Sequence, residues 1–349
     1  MVVAHSRRST DALRMEILVI GAGIAGLSCA RRLIAKGHTV TVVDKGRGVG
    51  GRLATRRLGT ASFDTGAQFI SAREPAFASE LNAAGAIVWC HGFPVLGKDR
   101  VPDGHPRFRM PGGMNQLAKF FAQGLNIHDQ LTVTGMKVTA NRWHVTCTPG
   151  DLVKPGSIPT GAPVTLLADA VVLTAPAPQA TSLLTGFDIA VPEVVRTIRY
   201  DPCLCLMLDY PTAPEALVPG SGGIQITDDA AIGWISSQRG KGLRTVGDGM
   251  IVHATGSWST THYGLADAEI LAQLRPLAEA AVRRAGITEN ADSCQLKKWK
   301  FSLPTVTISD PCIRVPAEAP LILAGDSFGN RPRVEGAWLS GCAAAEALA

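Results

Sequence analysis

The hydrophobic positions along this chain follow two rhythms. Residues 17–20 form a continuous apolar run, as expected of a parallel strand covered on both faces. Ile24, Leu27, Ala30 and Ile34 then recur at helical spacing, with Gly37 placed to end the helix. A second strand, 38–43, closes at the acid Asp44. Further on, the pattern predicts a helix that opens at 111–117 and runs to about Gln123, with Gly124 as its stop. Residues 131–140 read as a strand, and in the next one Trp143, Val145 and Cys147 alternate with His144, Thr146 and Thr148. Residues 151–163, rich in Pro and Gly, read as a loop inside this meander, after which 170–174 return to an unbroken apolar strand.

From about Val191 to Ser309 the texture changes. Residues 203–208, 223–227, 232–236 and 250–255 read as strands of a mixed sheet, and Leu296, Trp299 and Phe301 belong to a further one. The stretch 265–285 is helical, and Pro276 is predicted to kink or split it. The apolar run returns at 321–324, and Val334 opens a closing helix.

The turn between the first strand and helix carries the chemistry. Gly21, Gly23 and Gly26 supply G-x-G-x-x-G. The first allows a tight turn, the second lets backbone approach a pyrophosphate, and the third lets the helix pack on the strand with its N-terminus facing the anion. Asp44 stands 18 residues beyond Gly26, close to the ~20 expected of a carboxylate bonded to a ribose 2′-hydroxyl. Strand, turn, helix, strand and acid together point to dinucleotide binding, with an adenosine free of a 2′-phosphate. After Asp44, residues 45–52 hold four glycines and three cations, a loop able to wrap a pyrophosphate.

Composition narrows the class. At 349 residues the chain has room for two domains. A net charge of +5 without a dense basic run gives no sign of nucleic-acid binding. The eight Cys are scattered with no C-x-x-C, as expected of buried thiols in a reducing cytosol, so a cytoplasmic location is expected. The eight His show no paired ligand spacing, and no metal is expected. Residues 1–14 are polar and predicted to be a disordered tail; Arg7 and Arg8 resemble a twin-arginine signal, but no cleavage pattern follows. No run reaches about 18 apolar residues, so no membrane partner is expected.

Beyond these readings the chain resembles a known superfamily. G-x-G-x-x-G and an acid, G-x-G-G-R ending at Arg52, F-D-x-G-A-Q-F at 63–69 and P-G-G-M at 111–114 are similar to the FAD-dependent amine oxidases and phytoene desaturases. The resemblance implies an α/β fold: a Rossmann-like FAD-binding domain of the glutathione-reductase/p-hydroxybenzoate-hydroxylase type, with a second, mixed-sheet substrate domain. The expected division is FAD domain 15–72, 106–185 and 310–349, and substrate domain 73–105 and 186–309. It implies non-covalent FAD held at Gly21, Gly23, Ile24, Ala25, Gly26 and Lys45, with Asp44 at the ribose. Gly51 and Arg52 would meet the phosphates, and Gly66, Ala67 and Gln68 would lie beside the flavin ring. Val138 would meet the adenine through its backbone, Gly325 and Asp326 the ribityl or pyrophosphate region, and Val334, Gly336 and Ala337 the flavin at a positive helix end.

Within that superfamily the chain most resembles the renalases, particularly the bacterial ones. The matching words are D-K-x-R-G-x-G-G-R at 44–52, D-x-G-A-Q at 64–68, A-P-A-P-Q-A at 175–180, H-A-T-x-x-W-S at 253–259 and R-V-E-G-A-W-L-S-G at 333–341. The resemblance implies an oxidase that takes a hydride from 2- or 6-dihydro isomers of NAD(P)H, releases NAD(P)+ and passes the electrons to O2 as hydrogen peroxide. Restoring an aromatic cation needs a stacked ring but no strong base, and with three Tyr a two-tyrosine amine cage is disfavoured. Expected substrate contacts are His253, Trp234 and Trp299. The alternatives are a related amine oxidase or desaturase, and a non-catalytic flavin or dinucleotide redox sensor.

Overall fold

The computed structural model describes residues 14–58, 61–98, 103–150, 161–213, 215–218, 220–244 and 246–348. Along the chain run β1 (Glu16–Ile20), α1 (Ile24–Ala35), β2 (Thr39–Val43), β3 (Thr55–Leu58), β4 (Ala61–Asp64), α2 (Pro75–Ala83), β5 (Ile87–Cys90) and β6 (Arg107–Arg109). They are followed by α3 (Asn115–Ala122), β7 (Asn126–His128), β8 (Leu131–Thr139), β9 (Arg142–Pro149), β10 (Val164–Ala168), β11 (Ala170–Leu173), α4 (Ala177–Thr185) and α5 (Glu193–Arg196). The last third holds β12 (Arg199–Tyr210), β13 (Gly223–Gln225), β14 (Ile232–Ser237), β15 (Asp248–Ala254), α6 (Gly256–His262), α7 (Asp267–Arg284), β16 (Ser293–Val306), β17 (Ile313–Val315), β18 (Leu321–Leu323) and α8 (Val334–Glu346).

Two sheets organise these elements. The first has the order β17-β18-β11-β1-β2-β7, parallel except for β17. Its central strands β11 and β18, and β1 after Glu16, are apolar because both faces are covered. Ile17, Val19, Val40, Val42, Val172 and Ile322 face α1, α2, α3 and α8. Leu18, Ile20, Val171, Leu173, Leu321 and Leu323 face the meander β8-β9-β10 and α4. The alternation predicted for β9 is met: Trp143, Val145 and Cys147 are buried in this second layer. The helix α1 packs so closely on α8 that a Cβ at Gly341 would run into the carbonyl oxygen of Ala25.

The second sheet, β13-β14-β15-β12-β16, pairs antiparallel throughout. A parallel bridge from Val95 to Gln225 at its outer edge makes it mixed. One face carries Leu204, Leu206, Leu208, Ile235, Met250 and Val252 against α7. The other carries Cys205, Met207, Trp234 and Ile251 against Phe63 and Phe93. Residues of the β3–β4 hairpin are therefore the floor beneath that second face.

Several local expectations change. Ile34, placed on the buried stripe of α1, is 40% exposed, and Leu33 takes the core position. The helix opening at the 111–114 turn begins only at Asn115, because Gly113 adopts φ +94°. Pro276 does not split α7, which runs unbroken for 18 residues. Ile270 and Leu274 before the proline, and Ala278, Ala281 and Val282 after it, are buried against one sheet and hold both halves in line. Residues 73–105 divide rather than joining one unit: Phe77 and Leu81 of α2 enter the core of the parallel sheet, whereas Phe93 packs on the antiparallel one. The tail 1–13 and most of the loop predicted at 151–163 lie outside the described residues.

The two layers are joined by a buried ion pair. Asp64 ends β4, Lys241 lies in the turn after β14, both side chains are 0% exposed, and Nζ to Oδ2 is 2.6 Å. Neither atom has another hydrogen-bond partner among the described residues, and at this separation and burial the contact is ionic. Asp64 Oδ1 also accepts from Met114 N at 2.8 Å and Thr55 Oγ1 at 2.5 Å. Gln238 Oε1 accepts from Asp64 N, Ser236 Oγ donates to Gln68 Oε1, and Gln68 Nε2 donates to the carbonyls of Asp64 and Gly66. Removing one member of a buried pair strands the other. Lys241→Met is thus expected to destabilise the protein by about 3–5 kcal/mol, with part of the loss recovered when Asp64→Asn is added. Urea unfolding of the two variants checks this; a double variant less stable than the single one counts against the pairing.

Candidate active site

Four parallel strands end along one edge, as in doubly wound sheets that bind ligands beyond the strand carboxyl ends. Gly21 follows β1, Asp44 follows β2, Thr174 follows β11 and Gly325 lies just beyond β18. Gly50 N donates to Ala22 O at 2.8 Å, which folds the 45–52 loop back over the β1–α1 turn. Ala67 N donates to Arg52 O at 2.9 Å and ties the 66–68 segment to the same loop. Gly325 N donates to Ser340 Oγ at 2.9 Å, linking that turn to α8. Gly21, Gly23, Ile24, Ala25, Gly26, Asp44, Lys45, Gly51, Arg52, Gly66, Ala67, Gln68, Gly325 and Asp326 are thus gathered on one rim, with Val334, Gly336 and Ala337 at the start of α8.

The three motif glycines separate by cause. Gly21 has φ +112°, and a Cβ there would strike Thr174 Oγ1; one at Gly26 would run into the carbonyl oxygen of Gly21. Both are required by the protein's own packing. Gly23 has ordinary extended backbone, φ −75° and ψ 176°, and a Cβ there would meet nothing within 4 Å. No contact or strain within the chain asks for glycine at this position. Bare backbone at a helix N-terminus is what a pyrophosphate needs, so this turn fits a dinucleotide.

The polar side chains are already engaged. Asp44 accepts from Ala22 N at 2.7 Å and Gly46 N at 2.6 Å, which fixes the carboxylate at the end of β2 with further lone pairs to offer. Arg52 makes a two-pronged contact with Asp326, at 2.5 and 2.8 Å, and Tyr200 OH donates to Asp326 Oδ1 at 2.7 Å. Burial opposes the Arg52 charge, and Asp326 more than restores it, so the guanidinium stays charged. Burial and the Asp326 charge hold the Tyr200 hydroxyl protonated. Gln68 is spent between the layers rather than pointing freely into the rim. Glu335, buried at the first turn of α8, accepts from Arg73 N and Glu74 N at 2.6 and 2.8 Å.

Val138 is not brought to this rim. Leu131 N donates to Asp44 O at 2.9 Å, so β8 leaves the rim at its first residue, and Val138 lies about 23 Å further along at ~3.3 Å per residue. The valine next to the rim on this strand is Val133.

The antiparallel sheet supplies the other wall. Trp234 is opposite His253, His253 opposite Cys205, and Cys205 opposite Lys297, so these four form one row on one face. His253 Nε2 is 3.2 Å from Thr65 O and Trp299 Nε1 donates to the same carbonyl at 2.9 Å. A carbonyl only accepts, so Nε2 carries the imidazole proton and Nδ1 is left as an acceptor. Burial pushes the His253 pKa down to about 4, against the Thr65 bond and with help from the Lys241 charge. Trp234 is 8% exposed and sits within a cluster of Phe69, Trp89 and Phe93, 4.8 Å from the Phe93 ring. It is a wall rather than an accessible contact.

Sequence reasoning named His253 and Trp299 separately; the structure brings them onto one acceptor, Thr65, and that acceptor and Lys241 were both missed. The one hint of Lys241 was Asp64, an acid beside Phe63 in an apolar strand that needs a cation if buried.

Comparison with known proteins agrees with this geometry. Residues 19–81 match the NAD(P)-binding Rossmann-like domain, and residues 93–349 match the flavin containing amine oxidoreductase family. The chain belongs to the flavin containing amine oxidoreductase family, and FAD is its cofactor. Over 52 residues it is 48% identical to a 4,4'-diapophytoene desaturase (4,4'-diaponeurosporene-forming) of Staphylococcus haemolyticus, a stretch that covers 15% of this chain and only 10% of that protein. In three dimensions it is similar to an Exiguobacterium sp. 255-15 protein provisionally named as a protoporphyrinogen oxidase, with TM-score 0.70, 13% identity and coverage of 95% and 98% of the two chains. A double mutant of putrescine oxidase with redesigned cofactor binding gives TM-score 0.66 at 14% identity, over 96% and 99%. At such identities the likeness is one of fold.

Gly23→Ala is expected to leave the stability of the FAD-free protein within about 1 kcal/mol of wild type, since no contact is lost, while lowering FAD retention. Dialysis followed by absorbance, beside melting of the stripped protein, measures both; full flavin occupancy would remove the glycine from the binding turn. His253 has its pKa lowered on folding, to about 4. Its contribution to stability is full above the unfolded value of about 6.5 and is lost as pH falls toward about 4. Between roughly pH 7.5 and 5, wild type should lose more melting temperature than His253→Gln; equal losses would mean that the imidazole titrates normally.

Proposed function

We propose that the chain is a renalase-like oxidase of dihydronicotinamide dinucleotides, taking a hydride from the 2- or 6-dihydro isomers of NAD(P)H, releasing NAD(P)+ and, with O2, giving hydrogen peroxide. The FAD supplies the hydride acceptor and the route of the electron pair to oxygen. What the chain's residues contribute is orientation. Trp299 and His253, fixed by one carbonyl, present a ring edge and a neutral acceptor nitrogen from the same sheet face. Asp44 and the Gly23 backbone hold the adenosine half of the cofactor, and Arg52 with Asp326 the ribityl and phosphate half.

The observation that carries the reading is that neither the His253 imidazole nor the carboxylates Asp64 and Asp326 is available as a free base. His253 is held neutral far below its usual range, so it is a weak base; Asp64 is bound to Lys241, and Asp326 to Arg52. A dihydropyridine that becomes an aromatic cation on losing hydride needs none. The three tyrosines support the same conclusion. Tyr200 is bonded to Asp326, while Tyr210 and Tyr263 belong to the opposite side of the antiparallel sheet. No tyrosine pair forms a cage of the kind used for amines.

A second reading, an FAD-dependent amine oxidase or desaturase, is favoured by the family itself and by the 52-residue likeness to a desaturase. Anaerobic stopped-flow at the flavin band separates the two. Mixing with borohydride-reduced NAD, which contains the 2- and 6-dihydro isomers, is expected to bleach the band quickly, with authentic NADH slow and a polyamine panel inert. His253→Ala should slow that bleaching with FAD still bound. Bleaching by an amine and by none of the dihydro isomers would reverse the order of the readings.

A further inference from the structure

Charges around this wall are unevenly distributed. Two nearby carboxylates are committed, Asp64 to Lys241 and Asp326 to Arg52, and Asp201 Oδ2 lies away from the row, beside Gly256 at the start of α6. Two cations are not matched in this way. Lys297 stands in the row of His253 and Cys205, on the edge strand β16, with its ammonium 4.6 Å from the Trp299 ring centroid. From the other layer comes Arg56. It is directly opposite Phe63 in the β3–β4 hairpin, so both side chains leave the same face. Phe63 packs on Cys205, Met207 and Ile251, which means that this face of the hairpin looks at the Lys297 side of the sheet.

Two like charges thus approach each other from two layers. Their mutual repulsion adds to burial in disfavouring the Lys297 charge. Neither side chain has a carboxylate partner among the described residues. Two cations brought together from two layers, one of them stacked on the Trp299 ring, are complementary to an anion.

We propose that Lys297 and Arg56 form an anion subsite at the open edge of the active site, taking a phosphate of the substrate, so that the substrate is a phosphate-bearing molecule and not a cationic amine. The subsite rests on the dihydronicotinamide reading for the rest of the substrate. In such a dinucleotide the pyrophosphate lies one ribose away from the reacting ring, so ring and phosphate fall within one extended contact. Trp299 spans the two, with Nε1 on Thr65 and its face under Lys297.

The test is equilibrium binding to the oxidised, FAD-loaded protein, read by calorimetry and independent of turnover. NAD+, inorganic pyrophosphate and phosphate-free nicotinamide riboside are each titrated into wild type, Lys297→Gln, Arg56→Gln, the double variant and Lys297→Arg. Lys300→Gln, an exposed lysine on the same strand, serves as control. Flavin content reports that each variant is folded. The expected result is a loss of about tenfold or more in NAD+ affinity in each single Gln variant, with a shallower salt dependence in the double variant. Lys297→Arg and Lys300→Gln should bind as wild type, pyrophosphate should compete with NAD+, and the riboside should bind all variants alike. Equal NAD+ affinity in wild type and double variant overturns the subsite, whatever the enzyme turns over. Phosphate binding that depends on the two cations, in a protein whose flavin no dihydro isomer reduces, keeps the subsite and overturns the dihydronicotinamide reading instead.

Discussion

Asp64 and Lys241 are both withdrawn from water, with their charged atoms 2.6 Å apart, and neither ion is tolerable in that place without the other. The carboxylate belongs to the hairpin over the parallel sheet, the ammonium to a turn of the antiparallel one. Met114 N and Thr55 Oγ1 converge on the same carboxylate, and Gln238 and Ser236 continue the network to Gln68. A small shift of one layer against the other would leave several of these groups unpaired in a dry interior. The penalty for such a shift is steep, so the network sets how the two layers sit more than it adds to their attraction.

That registration matters because the active site belongs to neither layer alone. Thr65 follows Asp64 in sequence, and its carbonyl is the point at which His253 and Trp299 meet. The ion pair therefore positions the acceptor, and the acceptor positions the two side chains. The antiparallel sheet is divided by face for the same end. Its inner row of Trp234, His253, Cys205 and Lys297 looks toward the cofactor layer, and its outer row is sealed by α7. The imidazole is held neutral and the Asp64 and Asp326 carboxylates are held by cations, which is what the proposed hydride transfer from a donor with an aromatic product asks of them.

The parallel half of the fold was legible residue by residue because its signals are local. Glycines with positive φ or no room for a Cβ, apolar strands buried on both faces, and an acid at the end of β2 each act within a few residues. Ile34 and the start of α3 were misplaced for reasons equally local: the rotation of one helix against its neighbours, and a glycine turn that runs on to Gly113. Val138 was misplaced because the sequence shows that a strand is present but not which end of it approaches Asp44. Pro276 marks a weak point in a helix, yet burial on both sides of it keeps that helix continuous.

The sequence by itself determined the dinucleotide turn, because that depends on spacing within one stretch of chain, while the cofactor class and the segments that gather around the turn came from the resemblance to a family. It also held His253, Trp234 and Trp299 as candidates. Only the tertiary structure decided what they do: Trp234 is packed into an aromatic cluster, whereas His253 and Trp299 share a carbonyl 188 and 234 residues away. The pairing of Asp64 with Lys241, and the approach of Arg56 to Lys297, were likewise beyond the sequence. Charges are chosen one at a time along a chain, but whether each is matched or left for a ligand depends on which distant segment folding places opposite it.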